Sequence, residues 1–378
     1  MIKIEVDEFT RNLNLLSKFI ETDILKVDGL LLTLQSINEQ ASNRELQDSI
    51  SAYKSMRGYR KKFNYSAIVI LLYGYFENFI ERIAEEYVKA IAAVAENFEQ
   101  LPSKIRENHC SKSRELEKKL NLDKYKNLTK DQIIANLSSC QNIQSKEFTL
   151  NVEAYSMHNA NFRYHTIDGI FADVGVQKIN RQIINENAFS SYLQKIDDKS
   201  TDLQTGKSKI FIDAARLKLE QTLNELAQRR NQIAHGAEVD DILSPEILKT
   251  KYIDFLRQYA QSLEQVLQAS LSSFEKTLIQ YELKNYIKIG SPFKIWQKGY
   301  VPGFSNVSID IKLKIAVGDE VIVEISIKKS KEYKKVKILE IHVDKKTQDF
   351  IELSTLPLSF TLKLDQKIKE NHVVFVKK

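Results

Sequence analysis

The chain lacks most of the residue patterns that mark familiar enzyme classes. Its 378 residues include two cysteines, Cys110 and Cys140, without CxxC spacing. Neither a disulfide framework nor a thiolate metal knot is therefore expected, and a reducing compartment is the simplest setting. With 11 glycines and 5 prolines in all, there is no Gly/Ser linker, low-complexity tract or internal repeat, and no Gly-rich phosphate loop of the Walker or dinucleotide type. The nucleophile elbow and the His-Glu-x-x-His pattern are also missing, which argues against serine hydrolases and zinc proteases. His109 beside Cys110 has no second pair of ligands, so no metal and no cofactor is expected. The longest apolar run, Tyr65 to Phe76, is too short to cross a bilayer and is closed by Glu77. Met1-Ile2-Lys3-Ile4-Glu5 runs straight into charged sequence, so a cytoplasmic protein without signal peptide or membrane contact is expected.

What is present divides unevenly. Tyr286 to Lys378 holds 18 lysines and no arginine against 11 acidic residues, a net charge of +7, whereas the rest of the chain carries −1. Periodicity changes at the same place. Up to residue 285 the spacing is helical: Phe9, Leu13, Leu16 and Ile20 share one face, and Val27, Leu30, Leu31 and Leu34 the next. A basic loop, Arg57-Gly58-Tyr59-Arg60-Lys61-Lys62, is expected to lead into a core helix striped by Ile68, Leu72, Tyr75, Phe79, Ile83, Tyr87 and Val94 and ended by Leu101-Pro102. Residues 100–205 are Lys/Glu/Asn-rich, with short helical patches at Arg114 to Leu120 and Asp131 to Leu137. A helix over 208–235 follows, and Ser244-Pro245-Glu246 opens another that runs to about Tyr281. Beyond Asn285, β-branched and alternating runs at Ser308 to Ile315, Val321 to Ile327, Val336 to Val343, Ser359 to Leu364 and Val373 to Val376 predict a small all-β domain, loosely similar to SH3-like or OB barrels. The expected architecture is mainly α, a helical domain over 1–285 and a lysine-rich β-barrel over 286–378.

One cluster carries catalytic-type residues: Gln228-Arg229-Arg230-Asn231-Gln232-Ile233-Ala234-His235-Gly236. Asn231 and His235 stand four apart on one helical face, so the amide is expected to hydrogen-bond and orient the imidazole. Arg230 lies roughly 140° around the helix from His235, within reach of a long side chain. Gly236 is suited to the left-handed conformation that ends helices, which places His235 in the last turn, where the negative end of the helix dipole suits a proton-carrying imidazole.

The string Arg-Arg-Asn-x-Ile-Ala-His-Gly, preceded by Leu217, Leu223 and Leu226, resembles the signature of the HEPN superfamily of ribonucleases and nucleotide-binding helical domains. Leu72-Tyr73-Gly74-Tyr75-Phe76-Glu77-Asn78-Phe79-Ile80 is similar to the aromatic helix with an embedded glutamate in its RiboL-PSP-type branch. The resemblance covers about residues 60–285, with 100–205 a poorly matched insertion. It implies an antiparallel helical bundle that acts as a homodimer with two Arg/His elements facing each other, and metal-independent RNA cleavage that leaves a 2′,3′-cyclic phosphate. Carried over, Arg230 would stabilise phosphate charge, His235 would move the proton, Asn231 would orient it or touch phosphate, and Arg229 would hold the backbone loosely. Glu77, in an apolar helix, is expected to join the catalytic group and to pair with Arg230 or Arg229, and Tyr73 beside it is expected to contact the substrate. The implied setting is toxin-type or anti-phage defence, with an antitoxin as a possible partner.

Alternatives stay open at several positions. Arg230 and His235 also fit a surface ion pair and a helix-ending histidine, and Glu77 a buried structural salt bridge. Lys328, Lys329, Lys331, Lys334 and Lys335 with Tyr333 fit either an RNA-tracking surface or a solvated hairpin tip, and lysine without arginine argues against base-specific reading. Arg57, Arg60 and Lys62 likewise fit either an RNA-tracking surface or a solvated face, and Arg163 and His165 either a second phosphate contact or packed side chains. A non-catalytic RNA-binding or antitoxin-like module is the competing function.

Overall fold

The computed structural model describes residues 2–41, 44–196, 209–236, 241–327 and 330–378. The chain divides into two compact units, Met1–Leu271 and Ser272–Lys378.

The first unit is a helical bundle. Its elements are α1 (Ile2–Phe19), α2 (Lys26–Ala41), α3 (Arg44–Val94), α4 (Ser103–Lys118), α5 (Lys130–Ser139), α6 (Tyr164–Asp173), α7 (Ile179–Asn185), α8 (Asn187–Ile196), α9 (Lys209–Ala234), α10 (Pro245–Leu248) and the start of α11 (Phe255–Glu282). Val6, Phe9, Leu13 and Leu16 of α1 are buried against α3, where Phe9 stacks on Phe79 at 4.4 Å and the buried Glu5 meets Arg82 at 2.8 Å. The expected stripe of α3 is widened by Val69, Tyr73, Phe76, Ile80, Ala84 and Val88, all buried, so this helix is the axis of the core.

Two expectations fail here for physical reasons. Residues 57–62 are not a loop but part of α3, which runs unbroken for 51 residues. Arginine and lysine are good helix formers, and one glycine costs only about 1 kcal/mol, too little to break a helix anchored further along. The second apolar face is not buried either: Leu30 and Leu34 are exposed, as are Leu32 and Ile37, while the side chain of Val27 lies outside the described ones.

Residues 103–157 pack around Leu116, Tyr125, Ile133, Ala154 and Met157. Their buried polar centre is His109. The Asn151 N–H donates to His109 Nε2 at 3.2 Å, and the Asn151 side chain donates to Ser113 Oγ at 2.9 Å and to the Ile133 carbonyl. Burial holds the His109 imidazole down at about 4. The native state therefore takes up this proton well below the 6.5 of a solvated histidine, and the unfolded chain binds more protons between those values. Stability is accordingly intact above pH 6.5 and falls, by at most about 1.4 kcal/mol per pH unit, as pH drops toward 4. A thermal denaturation series over this range is expected to show that slope, flattened in His109→Gln.

The described residues of the second unit form ten strands: β1 (Tyr286–Gly290), β2 (Lys294–Trp296), β3 (Val301–Val307), β4 (Leu313–Ala316), β5 (Glu320–Ile327), β6 (Ser330–Val343), β7 (Lys346–Gln348), β8 (Phe350–Leu353), β9 (Leu358–Leu364) and β10 (Val373–Lys377). Every pairing is antiparallel, in the order β1-β10-β5-β6-β9-β3-β2, with β7 on β6 and a separate β4-β8 pair. The ladder is open, ending at β1 and β2, so the expected barrel is not closed. It wraps a core that includes Phe304, Val323, Val336, Ile338, Ile341, Leu353, Leu362 and Val374. The run expected as a strand over 308–315 is split, because Ser308–Lys312 leaves the sheet before β4 begins. Lys276 and Glu282, near the end of α11, pair with Glu332 at 2.9 Å and Lys335 at 2.7 Å.

Candidate active site

The motif helix ends where its residue types dictate. His235 N–H donates to the Asn231 carbonyl at 3.0 Å and Gly236 N–H to that of Ile233 at 3.1 Å, and Gly236 turns the chain at φ +68°.

Arg229 and Arg230, one residue apart and therefore about 100° apart around α9, meet opposite environments. Arg229 is 8% exposed and fully engaged. Its Nε donates to Glu225 at 2.9 Å, one Nη to both the Tyr65 hydroxyl and the Asp241 carbonyl at 2.8 Å, and the other to the Asp241 carboxylate at 2.7 Å. The expected loose hold on an RNA backbone is thus replaced by an anchor that fixes the end of α9 to α3 and to the segment entering α10. Arg230 instead lies over the ring of Tyr73, 5.0 Å from its centroid. Its Nη1 donates to Asn231 Oδ1 at 3.2 Å and Asn161 Oδ1 at 3.4 Å. Among the described residues no partner occupies Nε or Nη2, the edge whose parallel N–H groups match two oxygens of a phosphate.

The residues that seat Arg230 come from a segment in which the sequence showed only Arg163 and His165. Residues 158–165 lie antiparallel along α9, with His165 3.6 Å from Glu220, the Tyr164 N–H on Asn224 Oδ1 at 3.3 Å, Arg163 on Gln228 Oε1 at 3.2 Å, and Asn161 Nδ2 on Asn231 Oδ1 at 2.9 Å. The 220, 224, 228 and 231 spacing is one face of α9, a signal present in the sequence but silent about its partner. Two further contacts hold the segment on α3. The Phe162 N–H donates to the Tyr73 hydroxyl at 2.8 Å, and His158, packed 4.0 Å from the Phe162 ring, sits between the Ala160 carbonyl at 2.6 Å and Glu81 at 2.8 Å. Burial, reinforced by the charge of Glu77, pushes the Tyr73 phenol up to about 12. Burial acts to raise Glu81 as well, but hydrogen bonds from His158 and Lys124 outweigh it and hold that carboxyl below its usual value. Tyr73 is therefore a buried platform beneath Arg230, not a surface ring awaiting a base. Tyr73→Phe, which leaves the Phe162 amide without its acceptor, is expected to lower stability by about 1–2 kcal/mol in a denaturant titration.

Glu77 does not pair with either arginine as expected. It lies on the Tyr73 face of α3, and its nearest ionic partner among the described residues is His158 Nε2 at 3.7 Å. Arg229 takes Glu225 and Asp241 because they lie within its reach on α9 and just beyond it. The imidazole of His235 is exposed and has no hydrogen-bond partner among the described residues, since the Asn231 amide expected to orient it is turned to Asn161 and Arg230.

The lysines expected to track RNA lie in the second unit and are mostly engaged. Lys335 pairs with Glu282, Lys331 with Glu324 at 3.1 Å, Lys334 donates to the Lys367 carbonyl, and Tyr333 donates to Glu324. Lys328 and Lys329 lie outside the described residues. Arg57 and Arg60, together with Tyr53 and Tyr65, line a cleft of about 490 Å³ beside the Arg229 anchor.

The family model described as RiboL-PSP-HEPN matches residues 31–269, which include α3, the 158–165 segment and all of α9. Comparison with curated proteins gives no match.

Proposed function

Since the chain belongs to the RiboL-PSP-HEPN family, we propose that it is an endoribonuclease that cleaves RNA without a metal, through Arg230 and His235 at the end of α9. The observation that carries this reading is the seating of Arg230. Its guanidinium is held by the Tyr73 ring, Asn231 and Asn161, its Nε and Nη2 have no partner among the described residues, and the exposed His235 follows five residues later in the same motif. A preset donor fork of this kind stabilises charge that develops on phosphate oxygens. In the proposed reaction the RNA 2′-oxygen attacks phosphorus, the bond to the 5′-oxygen breaks, and the 5′-oxygen leaves with a proton. The products are a 2′,3′-cyclic phosphate and a 5′-hydroxyl. His235 takes or delivers a proton, Asn231 and Asn161 position Arg230, and Glu77 sets the charge around Tyr73. Arg229 supports the helix end and does not touch RNA.

One His235 per chain supplies either the base or the acid, so a second copy completes the pair. A face of α3 supports this homodimer. Met56, Tyr59, Phe63 and Ile70, spaced as one helical stripe, are 38% to 66% exposed, and the stripe ends a turn from Tyr73. The catalytic work then falls to residues 1–285, and residues 286–378 hold substrate. Growth arrest by such an enzyme fits toxin-type or anti-phage defence under an antitoxin. The unoriented His235 imidazole favours a second reading, an RNA-binding module without catalysis.

Incubation of purified protein with cellular RNA in EDTA, followed by end-group analysis, separates the two. Cyclic phosphate ends that disappear in His235→Ala support the enzyme. Intact RNA, or cleavage that requires added metal, removes it.

A further inference from the structure

The β unit lies wholly beyond the family match, and the described lysines of the 328–335 hairpin, Lys331, Lys334 and Lys335, are engaged. β2 is the edge strand at one end of the sheet, paired among the described residues with β3 alone. On its outer side the rings of Phe293 and Trp296 meet edge to face at 5.9 Å and are 59% and 39% exposed, with Tyr300, 37% exposed, in the turn that follows. A large apolar ring is held in the open here by a missing side chain. Gly303 lies opposite Lys294 in the register, and a Cβ built on it would come 2.6 Å from the Trp296 ring and 3.1 Å from that of Phe293. The indole therefore rests on bare backbone, and any side chain at 303 would lift it.

The charged side chains in contact with these rings are lysines. No acidic residue occurs between Glu282 and Asp310. Lys294 lies 5.5 Å from the centroid of Trp296, Lys367 lies 5.5 Å from that of Tyr300, and Lys298 is in the intervening turn. None of these three lysines has an ion-pair partner among the described residues. Asp365, two residues before Lys367, accepts the Lys337 N–H.

We propose that Phe293, Trp296 and Tyr300 with Lys294, Lys298 and Lys367 form a binding platform for single-stranded RNA, whose bases stack on the rings while the lysines follow the phosphates. Unpaired bases expose the faces that such rings need, whereas a duplex buries them. A peptide added to the β2 edge fits less well, because that strand has three residues, begins two positions after Pro292, and carries Lys294. The proposal rests on the RNA-directed reading above and deepens it: the platform captures the strand that the Arg230 and His235 site would cut.

Trp296 is the only tryptophan in the chain, so its fluorescence reports this surface alone. Full-length His235→Ala protein is titrated with a twelve-nucleotide oligouridylate and with a duplex of equal length. Saturable quenching by the single strand, and weaker quenching by the duplex, is expected. By fluorescence anisotropy of labelled RNA, Trp296→Ala binds about tenfold more weakly, and Trp296→Phe recovers most of that loss. Replacing Lys294, Lys298 and Lys367 together by glutamine lowers the slope of log affinity against log salt by about two. Unchanged fluorescence at saturating RNA, or a Trp296→Ala variant with unaltered affinity, overturns the platform, and so does quenching by an unrelated acidic peptide but not by RNA. Cleavage by the parent protein without quenching would leave the nuclease standing and the platform refuted. Quenching without cleavage would do the reverse.

Discussion

His235→Ala is expected to reduce RNA cleavage by about three orders of magnitude while shifting the melting temperature by no more than about a degree. The magnitude follows from the role: a side chain that moves a proton in the transition state contributes 10²–10⁴-fold. The unchanged stability follows from position, since the imidazole is exposed at the end of α9, and truncation of such a side chain costs within about 0.5 kcal/mol. Arg230→Lys is the companion variant. It keeps the charge but replaces a planar fork with a point charge, so a loss of about a hundredfold is expected with RNA binding nearly preserved. Rates measured at saturating RNA in EDTA, with melting curves on the same preparations, test both. A His235→Ala protein that cuts at the parent rate would remove the mechanism at once.

The difference in what the sequence disclosed at each position has a physical basis. The order of Arg230, Asn231, His235 and Gly236 along the end of α9 was legible as a local matter of helix geometry, and Gly236 adopts the left-handed turn that its lack of a side chain suggests, but the expected contact of Asn231 with His235 does not form. The partners of that cluster were not legible. Asn161 lies 70 residues from Asn231 in the chain and is carried there by a segment without regular structure, so no periodicity announces it. Which of two neighbouring arginines turns inward was equally hidden, because it depends on Tyr65 and Asp241 lying beside α9. Helical and strand-like patterns told the two kinds of element apart, although the compact units part at Leu271 and Ser272, inside α11, and not at residue 285. Strand ends and ladder closure were not legible, since the short runs β2, β4, β7 and β8 take their strand character from pairing and not from their own composition. The lysine hairpin drew attention by density alone, and density cannot tell paired charges from free ones. Lys331 and Lys335 turned out to be paired, whereas the sparser Lys294 and Lys298 stand in a stretch without carboxylates.

Arg229→Met should behave in the opposite way to Arg230→Lys. The substitution keeps much of the side chain's apolar volume but removes a buried cation, leaving the Tyr65 hydroxyl and the Asp241 carbonyl without that donor and Glu225 with Lys251 alone. Breaking a buried pair by deleting one partner costs 3–5 kcal/mol. Here Lys251 still neutralises Glu225 at 2.6 Å and the Asp241 carboxylate is largely exposed, so the lower end, about 3 kcal/mol, is expected. That corresponds to a fall in melting temperature of roughly 6–12 °C. Arg229→Lys recovers little, because one ammonium cannot meet acceptors lying on three sides of a planar guanidinium. Activity per folded molecule at 20 °C should fall far less than in His235→Ala, since Arg229 has no free edge to offer a phosphate. The pair of neighbouring arginines thus separates along two measurable axes, stability for residue 229 and turnover for residue 230. An Arg229→Met protein as stable as its parent, yet inactive, would reverse that assignment and put the wrong guanidinium at the phosphate.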